Sequence, residues 1–259
     1  MNIAALSGFL LCFLAILFGI ASNGGIGTIM NFVHIPSLLV TLGGSLFAVL
    51  TMADSFNDYL SGFKSFVNAF KLPNTKPEDI TIKILEMSDI ARKEGLLSLE
   101  EKSETIENPF LNKGIRLIVD GTDPDLVKDI LENELFHKNE RNLKNIRFWN
   151  DFASCAPAWG MVGTLLGLIN MMKSMGNNMN AIGPNMSLAL ITTLYGSVIA
   201  NWICTPIARK LEKNSEQETL IMELTIEGVL SIQSGENSRI IKEKIKSILE
   251  MKEEKEDDS

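Results

Sequence analysis

The feature that most constrains this 259-residue chain is the uneven placement of its charged residues. Residues 1–53 contain no Asp, Glu, Lys or Arg, and residues 152–208 contain a single charged residue, Lys173. Residues 54–151, in contrast, hold 14 basic and 19 acidic residues, and residues 209–259 hold 9 and 13. A soluble globular protein would spread its charged residues over all its surface elements. The uneven pattern therefore excludes a single soluble globular domain. Both charged regions are net acidic, which also excludes an ordinary nucleic-acid-binding protein.

Four uncharged stretches are long enough to cross a bilayer, whose hydrocarbon core requires roughly 20 apolar residues as a helix. They cover residues 3–21, 35–53, 152–172 and 184–205. The first lacks the basic residues that precede a cleaved signal peptide, so we interpret it as a span and not as a leader. All but one of the basic residues lie in the two charged regions. This bias predicts that those regions and both termini face the cytoplasm.

These stretches predict an all-α integral membrane protein with four transmembrane helices and a helical cytoplasmic domain. The expected segments are a hairpin of spans one and two (1–53), a cytoplasmic helical domain (54–150), a hairpin of spans three and four (151–208) and a cytoplasmic helical tail with a disordered acidic end (209–259). Asp123 and Pro124 form a strong helix start, and no Gly or Pro follows until Pro157. We therefore expect one long helix that becomes span three. Span four should likewise extend past Pro206 towards Gly228, the next helix breaker.

The four spans contain no acidic residue. A proton or cation path across a membrane usually includes a carboxylate that titrates inside the bilayer. The sequence therefore leaves two alternatives open: the protein forms no ion path, or another chain supplies the carboxylate. Cys12, Cys155 and Cys204 lie in the apolar spans without metal-ligand spacing, and we expect no cofactor and no metal.

Spans three and four instead carry hydroxyl and amide side chains at helical spacing. The candidate ion-path residues are Thr164, Thr192, Thr193, Ser197 and Asn201. Each hydroxyl either faces a path or bonds back to the carbonyl four residues earlier. The amide of Asn201 has four hydrogen-bonding sites, so it must face another helix, a partner or water. Pro157 and Pro206 lie near the inner ends of these spans, where each is either a simple kink or a hinge.

Residues 189–206 read ALITTLYGSVIANWICTP, which resembles the signature of the MotA/PomA group of flagellar stator proteins, part of the MotA/TolQ/ExbB proton channel family. The positions that carry this resemblance are Ala189, Leu190, Thr192, Thr193, Leu194, Gly196, Val198 and Pro206. Residues 156–169 (APAWGMVGTLLGLI) look like the family's third span. Residues 91–101 (ARKEGLLSLEE) are similar to the cytoplasmic segment that meets the rotor.

The resemblance implies a stator subunit in the bacterial inner membrane that converts proton or sodium flow into torque on the flagellar rotor. Five copies would surround two copies of MotB, a single-span protein that supplies the ion-binding Asp, and would push the rotor protein FliG. Thr164, Thr192 and Thr193 then match the hydroxyls of the ion path, and Pro157 and Pro206 match the two functional prolines. The expected rotor-binding residues are Arg92, Lys93, Glu100 and Glu101. By charge pattern alone, these four would be an ordinary solvated face.

Two other functions stay open at this point. A TolQ or ExbB type of energiser of envelope transport shares spans three and four but has three spans in all. A membrane scaffold without an ion path would need the threonines for packing only. An enzyme has little support, because the sequence contains no Ser-His-Asp set, Cys-His pair, phosphate loop or metal cluster. The choice between proton and sodium is also open.

Overall fold

The computed structural model describes residues 3–22, 25–71, 75–103, 105–175 and 179–257. Within these residues, all regular secondary structure is helical. The α-helices are α1 (Ile3–Ser22), α2 (Ile35–Leu38), α3 (Gly44–Met52), α4 (Phe56–Ala69), α5 (Pro77–Glu94), α6 (Leu99–Ser103), α7 (Pro109–Val119), α8 (Pro124–Ser174), α9 (Ile182–Val198), α10 (Thr205–Gln233) and α11 (Ser238–Asp257). Four helical runs are long and apolar enough to cross a membrane, which confirms the predicted all-α fold with four spans.

Spans two and four each contain a widened, π-helical turn. Leu39–Gly43 joins α2 to α3, and Ile199–Cys204 joins α9 to α10. The second turn ends two residues before Pro206, which has no amide hydrogen to donate to the carbonyl of Trp202, four residues earlier. The wider turn accommodates this missing bond without ending the helix.

Helix α8 is one unbroken helix of 51 residues. Its start follows the predicted signals, since the Asp123 carboxylate accepts a hydrogen bond from the Asp125 amide at 3.0 Å and Pro124 is the first helical residue. At 1.5 Å per residue the helix is about 77 Å long, more than twice the hydrocarbon thickness of a bilayer. The expectation of a helix that continues beyond span three is therefore confirmed.

Helix α10 also continues beyond span four, but it does not stop at Gly228. It runs through this residue to Gln233 and ends before Gly235, whose φ is 67°. The prediction of a breaker at Gly228 was wrong because the glycine serves packing: a Cβ there would lie 2.6 Å from Cγ2 of Ile84. The close approach of α5 and α10 offsets the helix propensity that glycine loses.

The chain forms two compact units, the first made of residues 1–72 and 142–213. An aromatic cluster fills its core where α4 packs on α8. Its members are Tyr59, Phe63, Phe66, Phe148, Trp149 and Phe152. Gly62 gives the ring of Phe148 room, since a Cβ on this glycine would lie 2.4 Å from Cγ of the ring. The Trp149 indole donates to Ser65 Oγ at 2.9 Å, so the polar atoms of this core are paired.

The second unit contains residues 73–141 and 214–259 and has an apolar core of its own. Its fully buried side chains include Ile84, Leu111, Ile115, Leu224 and Ile241. The Lys244 ammonium of α11 lies 2.9 Å from the carboxylates of both Glu227 and Glu236. Its hydrogen bonds with Glu236 and Glu227 raise the pKa of Lys244 above its usual value.

The tail differs from its sequence-based expectation. Helix α11 continues to Asp257, whereas the acidic end was predicted to be disordered. Lys and Glu are good helix formers, and pairs such as Lys246 and Glu250, 3.3 Å apart, add local support. These local effects outweigh the charge density that suggested disorder.

Candidate functional site

The contact between α8 and α9 depends on glycines. A Cβ on Gly167 would lie 2.6 Å from the Asn185 carbonyl oxygen, and one on Gly196 would lie 2.6 Å from the Ala156 carbonyl oxygen. In both cases the neighbouring atom belongs to the backbone, so the two helices approach more closely than any side chain would allow. Small residues permit this kind of contact in membranes. This close contact between α8 and α9 determines the distances between the polar groups of spans three and four.

Two of the predicted ion-path residues meet at this contact. The hydroxyl oxygens of Thr164 and Thr193 lie 2.5 Å apart. Thr164 Oγ1 is also 3.0 Å from the Ala189 carbonyl oxygen and 3.1 Å from that of Gly160. Four oxygen atoms thus converge, and the Ala189 carbonyl oxygen among them also accepts a hydrogen bond from Thr192 Oγ1 at 2.9 Å. We call this group the oxygen cluster, and its atoms are of the kind that bind a hard cation or ordered water.

Two more of the predicted ion-path residues extend from this cluster along one face of α9 and the turn after it. Thr193, Ser197 and Asn201 follow at steps of four, and all three are exposed in the single chain. The Asn201 amide donates one bond to the Ser197 carbonyl at 3.0 Å. The Asn201 side chain is exposed, so its remaining hydrogen-bonding sites are accessible to a partner or to water.

Thr192 does not lie on this face, although the family resemblance groups it with Thr164 and Thr193. It is fully buried, and its hydroxyl donates to carbonyl oxygens of its own helix, those of Leu188 at 3.0 Å and Ala189 at 2.9 Å. Its methyl group occupies the space over Gly163, where a Cβ would lie 2.4 Å from Thr192 Cγ2. Neighbouring residues on a helix point about 100° apart, so only one of the two threonines can face outward.

The two candidate hinge prolines have different surroundings. Pro157 lies within α8, half-buried, and its Cα would be 3.0 Å from a Cβ on Gly196. Pro206 is exposed in the first turn of α10, directly after the widened turn that contains Trp202. The indole of Trp202 donates to the Phe9 carbonyl at 2.9 Å, which holds α1 against this turn.

The four candidate rotor-binding residues lie on both sides of one tight turn at Gly95, whose φ is 89°. Arg92 and Lys93 are in the last turn of α5, and Glu100 and Glu101 are in the first turn of α6. The positive pair lies at the C-terminus of α5 and the negative pair at the N-terminus of α6, and both placements are favoured by the helix dipole. All four are exposed, and within the described residues none forms an ion pair.

This turn has a rigid base and an apolar tip. Leu99 is fully buried and holds the turn on the core of the second unit, whereas Leu97 is 74% exposed. The turn therefore carries two positive and two negative side chains around the exposed Leu97. The buried Leu99 holds the turn in this conformation. We call this surface the charged turn.

Span two contributes polar contacts that the sequence analysis missed. Ser37, Thr41 and Ser45 recur at steps of four and are fully buried. Ser37 and Thr41 donate to main-chain oxygens of α9, those of Leu188 and Thr192. The signal that could have revealed them was hydroxyl spacing of four within an apolar span, the pattern already used for span four.

An ion-pair network lies just beyond the end of span two. The Lys144 ammonium is 3.0 Å from Asp54 and 3.3 Å from Asp58. Hydrogen bonds with these two carboxylates raise the pKa of Lys144. Among the described residues there is no group of three or more His, Cys, Asp or Glu that could hold a metal ion.

Comparisons with known proteins agree on one family. A profile described as the MotA/TolQ/ExbB proton channel family matches residues 102–224. The chain is 41% identical to chemotaxis protein PomA of Vibrio alginolyticus over 249 residues, covering 96% of each chain. It is 37% identical to motility protein A of Treponema phagedenis over 258 residues, covering 99% of this chain and 97% of the relative.

Two solved structures are similar to this chain. The flagellar MotAB stator complex from Bacillus subtilis contains a chain with a TM-score of 0.82 and 28% identity, and 92% of each chain is covered. A chain in the structure of C. jejuni MotAB has a TM-score of 0.85, 24% identity and 96% coverage of each chain, which shows a shared fold.

Proposed function

The chain belongs to the MotA/TolQ/ExbB proton channel family and is a flagellar stator subunit; we propose that its spans form the wall of a cation path whose titrating carboxylate comes from another chain. One observation carries this proposal: the spans hold no acid, yet an exposed polar row begins at the oxygen cluster with Thr193 and continues through Ser197 and Asn201. An amide and hydroxyls facing lipid would cost free energy, so this face needs a polar neighbour.

The neighbour we propose is the single membrane helix of a MotB-like protein that carries an Asp. Its carboxylate would bind the cation, and the oxygen cluster around Thr164 would replace water on the opposite side of the cation. Hydroxyl and carbonyl oxygens suit Na⁺, and they can equally hold the water through which a proton moves. The translocated ion is therefore H⁺ or Na⁺, and no cofactor is needed.

We propose that five copies of this chain surround two copies of the MotB-like protein. The single chain leaves its spans largely uncovered, since no residue of the apolar stretch Ala5–Ser22 is buried. On α8, apolar side chains from Met161 to Met172 point outward on several sides. Neighbouring copies, the partner helix and lipid would together cover these surfaces.

Torque would be delivered through the charged turn, for which we propose the rotor protein FliG as the partner. Rotation of the ring around the MotB pair would carry Arg92, Lys93, Glu100 and Glu101 past the rotor. We propose Pro157 and Pro206 as hinges, because each removes one main-chain hydrogen bond from a helix that continues beyond its span.

The protein is a multi-pass protein of the bacterial inner membrane. We propose that both termini and residues 54–151 and 209–259 are cytoplasmic, because these regions hold all but one of the basic residues. This orientation brings the charged turn to the side of the membrane on which a flagellar rotor turns.

Reconstitution tests the proposed function directly. We expect proteoliposomes that contain this chain together with a MotB-like partner to conduct protons or sodium, and liposomes with this chain alone to conduct neither. The matched control is a partner whose membrane Asp is changed to Asn, which should also fail to conduct. Current through the purified chain alone would contradict a carboxylate supplied by another chain. Repeating the measurement in sodium-free medium identifies the ion.

The charged turn leads to a separate expectation. Arg92→Glu or Glu100→Lys should lower swimming torque by up to about tenfold, while the conductance of reconstituted complexes stays within about twofold of wild type. An exposed charge at an interface changes binding free energy by about 0.2 to 0.7 kcal/mol, and a reversal counts twice, so the largest expected loss is about 1.4 kcal/mol, or tenfold. Lys242→Glu, an exposed charge on α11 of the same unit, is the matched control. Equal losses of torque and conductance would show that these residues affect the stability of the protein and not its contact with the rotor.

A further inference from the structure

Span two carries a row of three buried hydroxyl residues, Ser37, Thr41 and Ser45, all fully buried. Ser37 Oγ donates to the Leu188 carbonyl oxygen at 3.4 Å, and Thr41 Oγ1 donates to the Thr192 carbonyl oxygen at 3.3 Å. The two acceptors lie four residues apart and therefore on one side of α9. Span two thus holds α9 at two successive turns.

Thr41 is directed towards α9 by its own local structure. It lies within the widened turn Leu39–Gly43, and its carbonyl oxygen accepts a bond from Ser45 Oγ at 2.7 Å. A threonine in a regular helix usually returns its hydroxyl to its own backbone. Thr51, the second-last residue of α3 in the same span, does this with the Phe47 carbonyl at 2.9 Å. Thr41 instead bonds to a different helix.

The acceptor of Thr41 is adjacent to the oxygen cluster. The Thr192 carbonyl belongs to the peptide group that joins Thr192 to Thr193, and Thr193 carries the hydroxyl that meets Thr164. A rotation of α9 about its axis would move this peptide group and the Thr193 hydroxyl together. A bond that fixes the carbonyl therefore also fixes the hydroxyl.

We infer that Thr41 is a positioning residue for the cation path, which through the Thr192 carbonyl holds α9 at the rotation that brings the Thr193 hydroxyl to Thr164. The inference rests on the proposed function, since it assigns the oxygen cluster to a translocated cation. Ser37 gives a second hold one turn away, at Leu188. Thr41 itself is buried and does not contact the cation.

Thr41→Val tests this, because valine keeps the shape of threonine and removes the hydroxyl. In proteoliposomes with a MotB-like partner, we expect the cation concentration that gives half-maximal flux to rise about fivefold, the size typical of one interhelical hydrogen bond in a membrane. Thr41→Ser, which keeps the hydroxyl, should restore the wild-type value. Thr51→Val, in the same span but bonded to its own helix, is the matched control and should change nothing.

A second measurement does not depend on ion flux. In the same complexes, hydrogen exchange of the α9 amides from 188 to 196 should speed up about fivefold in Thr41→Val and stay unchanged in Thr51→Val. If the wild-type complex does not conduct, the proposed function fails, and the exchange rates alone decide whether Thr41 positions α9.

The outcomes that overturn the inference are specific. Equal half-maximal concentrations and equal exchange rates in Thr41→Val and Thr51→Val would show that the hydroxyl positions nothing. If Thr41→Val does not reach the membrane, Thr41→Ala replaces it. If neither the Thr41→Val nor the Thr41→Ala variant forms a complex, the hydroxyl is needed for assembly, and the positioning role is overturned.

Discussion

Replacing Gly196 with alanine is expected to remove most of the folded protein from the membrane. The new Cβ would lie 2.6 Å from the Ala156 carbonyl oxygen and 3.0 Å from the Cα of Pro157. Both are backbone atoms, so no side-chain rotation relieves the clash, and α8 and α9 must separate. Overpacking of this kind costs about 1–3 kcal/mol or more, which is about fivefold to 150-fold in a folding equilibrium. Quantification of membrane-inserted, protease-resistant protein measures the effect.

Gly183→Ala is the matched control for this substitution. Gly183 also lies in α9, but a Cβ there meets no atom within 4 Å. We expect the control to accumulate as the wild-type protein does, because alanine favours a helix more than glycine does. Equal amounts of the two variants in the membrane would show that α8 and α9 are not as closely packed as described.

Replacing Thr164 with valine is expected to lower cation flux by at least about tenfold without loss of the complex. The substitution removes the oxygen atom that lies within 3.1 Å of three others, while the shape of the side chain is nearly kept. A buried polar group left without its partner costs about 1–3 kcal/mol, and the permeating cation loses one ligand or one water site. Flux through reconstituted complexes, normalised to the amount of protein, measures this.

Two further variants separate an ion path from simple packing. Thr164→Ser keeps the oxygen and should keep most of the flux. Thr192→Val removes a hydroxyl that is bonded only within its own helix, so we expect a change in flux below about fivefold, in line with a net hydrogen bond of about 1 kcal/mol or less. Equal losses in Thr164→Val and Thr192→Val would favour the membrane scaffold over the ion path.

Much of the fold could be predicted because it depends on one-dimensional patterns. Residues 1–53 carry no charge and residues 152–208 carry only Lys173, and this is enough to identify the spans, since a charged side chain inside the bilayer is costly. Local signals at Asp123 and Pro124 were enough to identify the start of α8. Gly228 misled the same reasoning, because its role depends on Ile84, a residue far away in the sequence.

The candidate site could be predicted only in part. Helical spacing correctly placed Thr193, Ser197 and Asn201 in one row, but it could not say which of Thr192 and Thr193 faces outward. That choice depends on which face of α9 packs against Gly163. The spacing of residues along a single helix does not show which of its faces contacts another helix.

By itself, the sequence determined that this chain crosses a membrane four times and continues two of its spans as long helices. It also determined that another chain must supply the carboxylate if the protein moves ions. These conclusions follow from composition and local hydrogen bonding, which each segment carries with it. Only the tertiary structure decided that Thr164 and Thr193 share the oxygen cluster, that Thr192 is buried, and that Thr41 reaches α9 from span two. The reason is that these relations depend on the rotation and separation of packed helices, which glycine contacts and interhelical hydrogen bonds set together.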